Sequence, residues 1–194
     1  SYGDYLALDQ LLSAQHPRSE PPQHDELLFI VQHQTSELWL KLLLHELRSA
    51  RSLLMTDDLA PALKRLARVK RIQEVLIEQW GVLATLTPSE YAEIRPFLAT
   101  SSGFQSWQYR AVEFLLGNKN VEMVRVFDHD AAAHDLLDTL LREPSLYDEF
   151  FRYLARRGYV VPPGLLDRDS TFRHTLDPQL VPAFGDVFAG PPRQ

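Results

Sequence analysis

The sequence contains no cysteine. The chain therefore forms no disulfide, holds no metal through thiolates and has no cysteine nucleophile. Disulfides are typical of oxidising compartments, so their absence favours a protein of the cytoplasm. The N-terminal stretch SYGDYLALDQ also lacks the basic start and apolar core of a signal peptide. We expect a cytoplasmic protein.

Long apolar runs and dense positive charge are absent as well. No run reaches the roughly 18 to 20 apolar residues of a membrane-spanning helix, so we expect no membrane partner. The formal net charge is -6, with acids and bases interspersed along the chain. A basic stripe that would neutralise phosphates is missing, so we expect no nucleic-acid partner.

Several catalytic signatures are missing too. The chain has no His-Glu-x-x-His pair, no phosphate-binding glycine loop followed by lysine and no G-x-S-x-G elbow. Histidines approach a carboxylate cluster only in DHDAAAHD, residues 128–135. His129 and His134 are five residues apart and do not share a helix face. We interpret this stretch as a solvated helix start and predict no metal site.

Helical periodicity is what the sequence does contain. Apolar residues make up 45% of the chain, and no alternating pattern predicts a sheet. The pattern predicts an all-α fold, a helical bundle with two long central helices at residues 25–56 and 56–86. A length of 194 residues fits one domain, so residues 1–194 are predicted to form a single helical domain.

The first long helix carries two apolar stripes, and both are predicted to be buried. One contains Phe29, His33, Leu40 and Leu44, and the other contains Leu27, Val31, Gln34, Leu38, Leu42 and His45. From spacing alone, His33 is more typical of a hydrogen-bonded core residue than of a catalyst.

The other polar candidates also have structural interpretations. Tyr91 and Arg95 lie one helical turn apart, and Arg95 is suited to a surface ion pair with Glu90 or Glu93. Two N-terminal tyrosines are suited to packing, and SSGF at residues 101–104 to a turn. Spacing alone predicts only a helical domain.

Longer strings carry more information. They are YGDYL at residues 2–6, QHPRSEPPQHDELLFIVQHQTSELWLKLLLHELR at 15–48, SSGFQSWQYRAVEFLLGNKN at 101–120 and PSLYDEFFRYLARRG at 144–158. Together they resemble the bacterial tryptophan 2,3-dioxygenase family, from Tyr2 to about Gln194. HQTSELW and SSGFQS are the most specific of these strings.

The resemblance implies an all-α homotetramer, a dimer of dimers, that binds haem b and its iron. Such an enzyme is an oxidoreductase that inserts both atoms of dioxygen across the indole C2–C3 bond of L-tryptophan. The product is N-formylkynurenine, formed in the first step of tryptophan catabolism by the kynurenine pathway. L-tryptophan and dioxygen are therefore the expected substrates.

Site residues follow from the same resemblance. His33 matches the catalytic histidine on the oxygen side of the haem, which hydrogen-bonds the indole N–H, and Phe29 lines that pocket. Arg95 matches the residue that holds the substrate carboxylate, assisted by Tyr91. A guanidinium fork suits a carboxylate because it donates two parallel hydrogen bonds. Pro96 departs from the family pattern and is expected to alter the local turn.

The resemblance also implies a loop and an arm. Ser102 and Gly103 match the loop that approaches haem and substrate, where small residues permit close backbone contact. Tyr2 and Tyr5 match substrate-pocket residues that reach into a neighbouring subunit. Residues 1–23 are thus expected to form an N-terminal arm that contacts that subunit.

One family feature has no match. The histidine that ligates the haem iron, near a Gly-Thr-Gly-Gly run, corresponds to none of the seven histidines. We expect an incomplete C-terminus and a chain that is inactive or binds haem weakly by itself. Two alternatives stay open: a haem monooxygenase acting on tryptophan or an analogue, and a non-catalytic module for indole amino acid binding or assembly.

Overall fold

The computed structural model describes residues 1–99, 101–175, 178 and 184–185. Within these ranges the regular structure is helical and contains no strand, which confirms the all-α prediction. The chain forms two compact units. The first comprises Ser1–Trp39 and Ile72–Gly103, and the second comprises Leu40–Arg71 and the described residues from Phe104 onward. The single-domain prediction for residues 1–194 stays a prediction.

The two predicted long helices are present as α3, Glu26–Met55, and α4, Leu59–Glu78. The second ends before its predicted end at residue 86, because Trp80–Leu83 forms a separate short helix. Each of the two long helices has residues in both units. The first unit contains α1 (Tyr2–Leu6), α2 (Leu8–Leu12), α5 (Trp80–Leu83), α6 (Pro88–Ile94) and a 3₁₀ helix at Arg95–Leu98. Ala7 separates α1 from α2 with a left-handed backbone, φ 50°. Thr87 caps α6 reciprocally with Glu90, a pairing that the sequence TPSE indicates.

A 3₁₀ turn at Gly103–Gln105 begins with the last residue of the first unit. The second unit contains five further α-helices: α7 (Trp107–Leu115), α8 (Glu122–Arg125), α9 (Ala131–Arg142), α10 (Leu146–Arg156) and α11 (Pro163–Leu166). Its core includes Leu54, Phe151, Leu154 and Leu165, all buried. Burying such side chains stabilises the fold by about 1.5–3 kcal/mol each.

The prediction that both stripes of α3 are buried is wrong for one of them. Leu40 and Leu44 of the first stripe are 6% and 4% exposed. On the second stripe Leu27 and Leu38 are each 49% exposed, and Val31, Leu42 and His45 are also exposed. The spacing of apolar residues indicates that a helix face is suited to burial, but it does not indicate whether another part of the chain covers that face.

Candidate functional site

Three aromatic side chains of the first unit form one group, which we call the His33 cluster: Phe29, His33 and Tyr91. The ring centroids of Phe29 and His33 lie 4.1 Å apart, at an interplanar angle of 35°. Those of Phe29 and Tyr91 lie 6.1 Å apart. Residues 29 and 33 meet because they are one turn apart on α3, whereas Tyr91 comes from α6. Neither spacing nor periodicity predicts the contact with Tyr91.

The hydrogen bonding of His33 fixes its tautomer. Nδ1 lies 2.8 Å from the backbone oxygen of Phe29. Because a carbonyl oxygen only accepts, Nδ1 carries the proton in this bond, and Nε2 of the neutral ring is an acceptor. No residue in the described part of the chain donates to Nε2. His33 is half-buried, so the cluster presents an acceptor nitrogen beside aromatic rings.

The polar residues that follow His33 are held by the end of α4. Gln79 donates from Nε2 to Ser36 Oγ at 2.7 Å, and Thr35 Oγ1 lies 3.4 Å from Gln79 Oε1. Both hydroxyls also donate to the backbone oxygen of Gln32. These contacts explain why this part of α3 carries polar residues in place of leucines. The sequence gives no sign of Gln79 as their partner, because it lies more than 40 residues away.

Arg95 begins the 3₁₀ helix that contains Pro96. Its backbone N–H donates to the backbone oxygen of Tyr91, so the two side chains lie one turn apart. The Arg95 guanidinium is exposed and donates from Nη1 to the oxygen of Ala99 at 2.9 Å. It has no carboxylate partner among the described residues, so the predicted alternative of a pair with Glu90 or Glu93 is not formed.

Strain accompanies this turn. Ala99 has φ 51° and ψ -123°, a backbone conformation that residues other than glycine rarely adopt. The hydrogen bond from Arg95 holds the carbonyl of this residue. Ser102 and Gly103, three and four residues further on, are exposed, and a Cβ added at Gly103 would meet nothing within 4 Å. Among the described residues, no neighbour requires glycine at position 103.

The N-terminal arm presents its aromatic rings to solvent. Tyr2 is 76% and Tyr5 89% exposed, so the structure does not bring them to the His33 cluster of the same chain. The end of the arm is attached to α3: Gln15 Nε2 donates to Gln34 Oε1 at 2.5 Å, and Gln34 Nε2 donates to the oxygen of Ala14. Its tyrosines are therefore available to another molecule.

A buried carboxylate anchors the start of α3. Glu26 is 2% exposed and accepts hydrogen bonds from the backbone N–H groups of Arg18 and Ser19. Burial alone raises the pKa of Glu26, but these hydrogen bonds outweigh it and hold the pKa below its ordinary value. Glu26 stays ionised and fixes the proline-rich connector against the helix that carries His33.

The DHDAAAHD stretch shows dispersed, exposed contacts. His134 Nε2 lies 3.7 Å from Asp128 Oδ1, and His134 Nδ1 lies 3.4 Å from Asp135 Oδ1. The three side chains lie on the surface. Across the described residues, no group of three or more histidines and carboxylates is arranged to hold a metal ion. Of the described helices, none combines the length and the apolar character needed to cross a membrane.

Comparisons with known proteins address the same residues. The sequence model of the tryptophan 2,3-dioxygenase family matches residues 1–170. The chain is 65% identical over 188 residues to the tryptophan 2,3-dioxygenase of Saccharopolyspora erythraea, covering 97% of this chain and 67% of that protein. It is also 65% identical to the enzyme of Kineococcus radiotolerans, with 97% and 66% covered.

A more distant relative gives the same result. The tryptophan 2,3-dioxygenase of Serratia proteamaculans is 58% identical over 191 residues, which cover 98% of this chain and 68% of that protein. The chain thus spans about two thirds of the length of the curated relatives it matches. Identity this high over nearly the whole chain settles its family: the chain belongs to the tryptophan 2,3-dioxygenase family.

Proposed function

We propose that the protein containing this chain is a haem-dependent dioxygenase that converts L-tryptophan and dioxygen to N-formylkynurenine. The observation that carries this proposal is the 2.8 Å hydrogen bond between His33 Nδ1 and the Phe29 carbonyl, which leaves Nε2 to accept a hydrogen bond beside the rings of Phe29 and Tyr91. An indole has one N–H donor on a flat apolar ring, and the cluster matches both properties.

The residues present fit one side of a haem pocket. The Phe29 carbonyl orients the His33 ring through Nδ1 and leaves Nε2 directed to a ligand. The family resemblance supports the indole N–H, and not the haem iron, as the partner of Nε2. Ser102 and Gly103 are exposed, and a Cβ added at Gly103 would meet nothing within 4 Å, which suits a loop that approaches a planar cofactor. Haem, when bound, supplies the iron chemistry that activates dioxygen. The protein residues orient the substrate.

Orientation requires a second anchor, which we assign to Arg95. One N–H of its guanidinium donates to the backbone oxygen of Ala99, and the other N–H groups can donate to a ligand. A carboxylate held there and an indole N–H held at His33 would fix both ends of one amino acid. Two-point binding limits the motions of the substrate relative to the cofactor, which is a main source of rate acceleration. Tyr91 lies one turn from Arg95 and assists at the carboxylate end.

We further propose a homotetramer that acts in the cytoplasm, at the first step of the kynurenine pathway. The exposed rings of Tyr2 and Tyr5 support a contribution of residues 1–23 to the pocket of a neighbouring subunit. The exposed Leu27, Val31 and Leu38 on α3 support the same assembly, because contiguous apolar surface commonly marks an interface.

The proposal is tested on the whole protein with two substrates, L-tryptophan and tryptamine, which lacks the carboxylate. Losing a charge-assisted contact of about 2 kcal/mol corresponds to a KM about 30-fold higher. We expect Arg95→Gln to raise KM for L-tryptophan by that order and to leave KM for tryptamine nearly unchanged. Arg48→Gln, an exposed arginine on α3, is the matched control. An equal change in KM for both substrates would contradict the assignment of Arg95 to the substrate carboxylate.

A further inference from the structure

The second unit contains a cavity of about 580 Å³ that the proposed function does not use. This volume falls in the range of roughly 300–1,000 Å³ that is typical of small-molecule sites. Its lining includes Lys119, Arg142 and Arg173, together with Val121, Leu141 and Phe172. None of the residues assigned to tryptophan lines it, and among the described residues no carboxylate does.

Lys119 supplies a buried positive charge. The residue is 3% exposed, and its Nζ donates to the backbone oxygens of Leu141 and Glu143 at the end of α9. An ammonium has three N–H donors, so one of them has no acceptor in the described part of the chain. Burial of the ammonium lowers the pKa of Lys119 to about 8, so the amine is mainly protonated at neutral pH.

The charges around the cavity leave two cations uncompensated. Arg142 is neutralised by a two-fold hydrogen bond to Asp138, with both distances 2.9 Å. Arg173 is exposed, and no described residue pairs with its guanidinium. Lys119 is bonded to uncharged carbonyls only.

The carboxylates nearest to Lys119 are already paired. Glu143 accepts from Arg51 Nη2 at 2.7 Å. Asp148 accepts two hydrogen bonds from Arg168. The positive charge of Lys119 and Arg173 is therefore available to an anion, and hydrogen bonds to an ionised group are roughly twice as strong as neutral ones.

We propose that this cavity binds a small organic carboxylate with an apolar body. The carboxylate oxygens accept hydrogen bonds from the third N–H of Lys119 and from the Arg173 guanidinium. The apolar body packs against Val121, Leu141 and Phe172. A ligand of this kind matches both surfaces of the cavity, whereas an inorganic anion would leave the apolar wall uncovered.

The test uses the whole protein and two probes of nearly equal shape, 4-fluorobenzoate and 4-fluorobenzamide, each titrated while its fluorine NMR signal is followed. We expect saturable binding of 4-fluorobenzoate, with a Kd at least ten-fold lower than that of the uncharged amide. Equal Kd values for the two probes would overturn the proposal, and so would an absence of saturable binding of the benzoate.

Variants locate the binding. Arg173→Gln is expected to raise the Kd of 4-fluorobenzoate about ten-fold, whereas Lys64→Gln, an exposed cation outside the cavity, leaves it unchanged. Arg173 is exposed, so its replacement does not threaten folding, and circular dichroism checks this. Arg95→Gln separates the two sites: a Kd that responds to Arg95 and not to Arg173 would assign the benzoate to the tryptophan site and overturn the proposal for this cavity.

Discussion

Replacing His33 by alanine tests the role of its Nε2 acceptor. The Phe29 carbonyl holds Nδ1 protonated, so Nε2 is free to accept one hydrogen bond from the indole N–H. A neutral hydrogen bond contributes about 1 kcal/mol net, which corresponds to a factor of about five in kcat/KM. We therefore expect a loss of about five-fold that depends on the indole N–H, in addition to any loss from the missing ring.

The assay separates these two losses by comparing L-tryptophan with 1-methyl-L-tryptophan, which has no indole N–H. For the unchanged protein, kcat/KM includes the hydrogen bond only with L-tryptophan. In His33→Ala, kcat/KM for L-tryptophan should fall about five-fold more than for the methylated substrate. This double comparison isolates the hydrogen bond from the bulk of the methyl group.

Two controls complete this experiment. His16→Ala, which removes an exposed histidine of the connector, should change neither substrate's kcat/KM. The haem absorption of the whole protein should persist in His33→Ala, since we propose that His33 binds the indole and does not ligate the iron. Equal losses for both substrates would refute the hydrogen bond, and loss of the haem would refute the placement of His33.

Further predictions concern the stability of the fold. Arg168→Met breaks a buried pair and should lower the free energy of urea unfolding by about 3–5 kcal/mol. Burial alone raises the pKa of Asp148, but hydrogen bonds from Arg168 and Ser145 outweigh it and hold the pKa below its ordinary value. The ionised Asp148 therefore stabilises the fold above about pH 4, and this stabilisation is lost as the pH falls through the lowered pKa. Urea unfolding curves at a series of pH values check this. The pKa of Lys119 is about 8, below the ordinary 10.5, so folding stability should rise between these pH values, by at most about 3 kcal/mol; an identical pH profile in Lys119→Met would contradict this. Leu47→Ala, at a fully buried position, should cost about 2–5 kcal/mol, and Leu38→Ala, at a half-exposed one, much less; equal losses would contradict the burial pattern.

Local chemistry is what made much of the fold predictable from sequence. α3 was expected at residues 25–56 and spans Glu26–Met55, because an uninterrupted apolar period and an acidic first turn mark its extent. The capped starts of α6 and α10 follow from Thr87 with Glu90 and from Ser145 with Asp148. These signals involve residues within one helical turn of each other, so they can be recognised in the sequence without knowledge of the tertiary structure.

Contacts over long sequence distances were not predictable in this way. The bonding of Thr35 and Ser36 to Gln79 depends on how α3 and α4 meet in the first unit. Lys119 is buried, and its ammonium donates to backbone oxygens at the end of α9, more than 20 residues away along the chain. The assignment of His33 and Arg95 rested on resemblance, since spacing alone favoured a core histidine and a surface arginine.

The most direct test of the proposed function is the mass of the product that the whole protein forms from L-tryptophan under isotopically labelled dioxygen. We predict N-formylkynurenine that carries two labelled oxygen atoms, since the proposed reaction inserts both atoms of one dioxygen molecule across the indole C2–C3 bond. A product with one labelled atom would identify a monooxygenase. If haem-loaded protein bound L-tryptophan but formed no oxygenated product, the dioxygenase proposal would be contradicted.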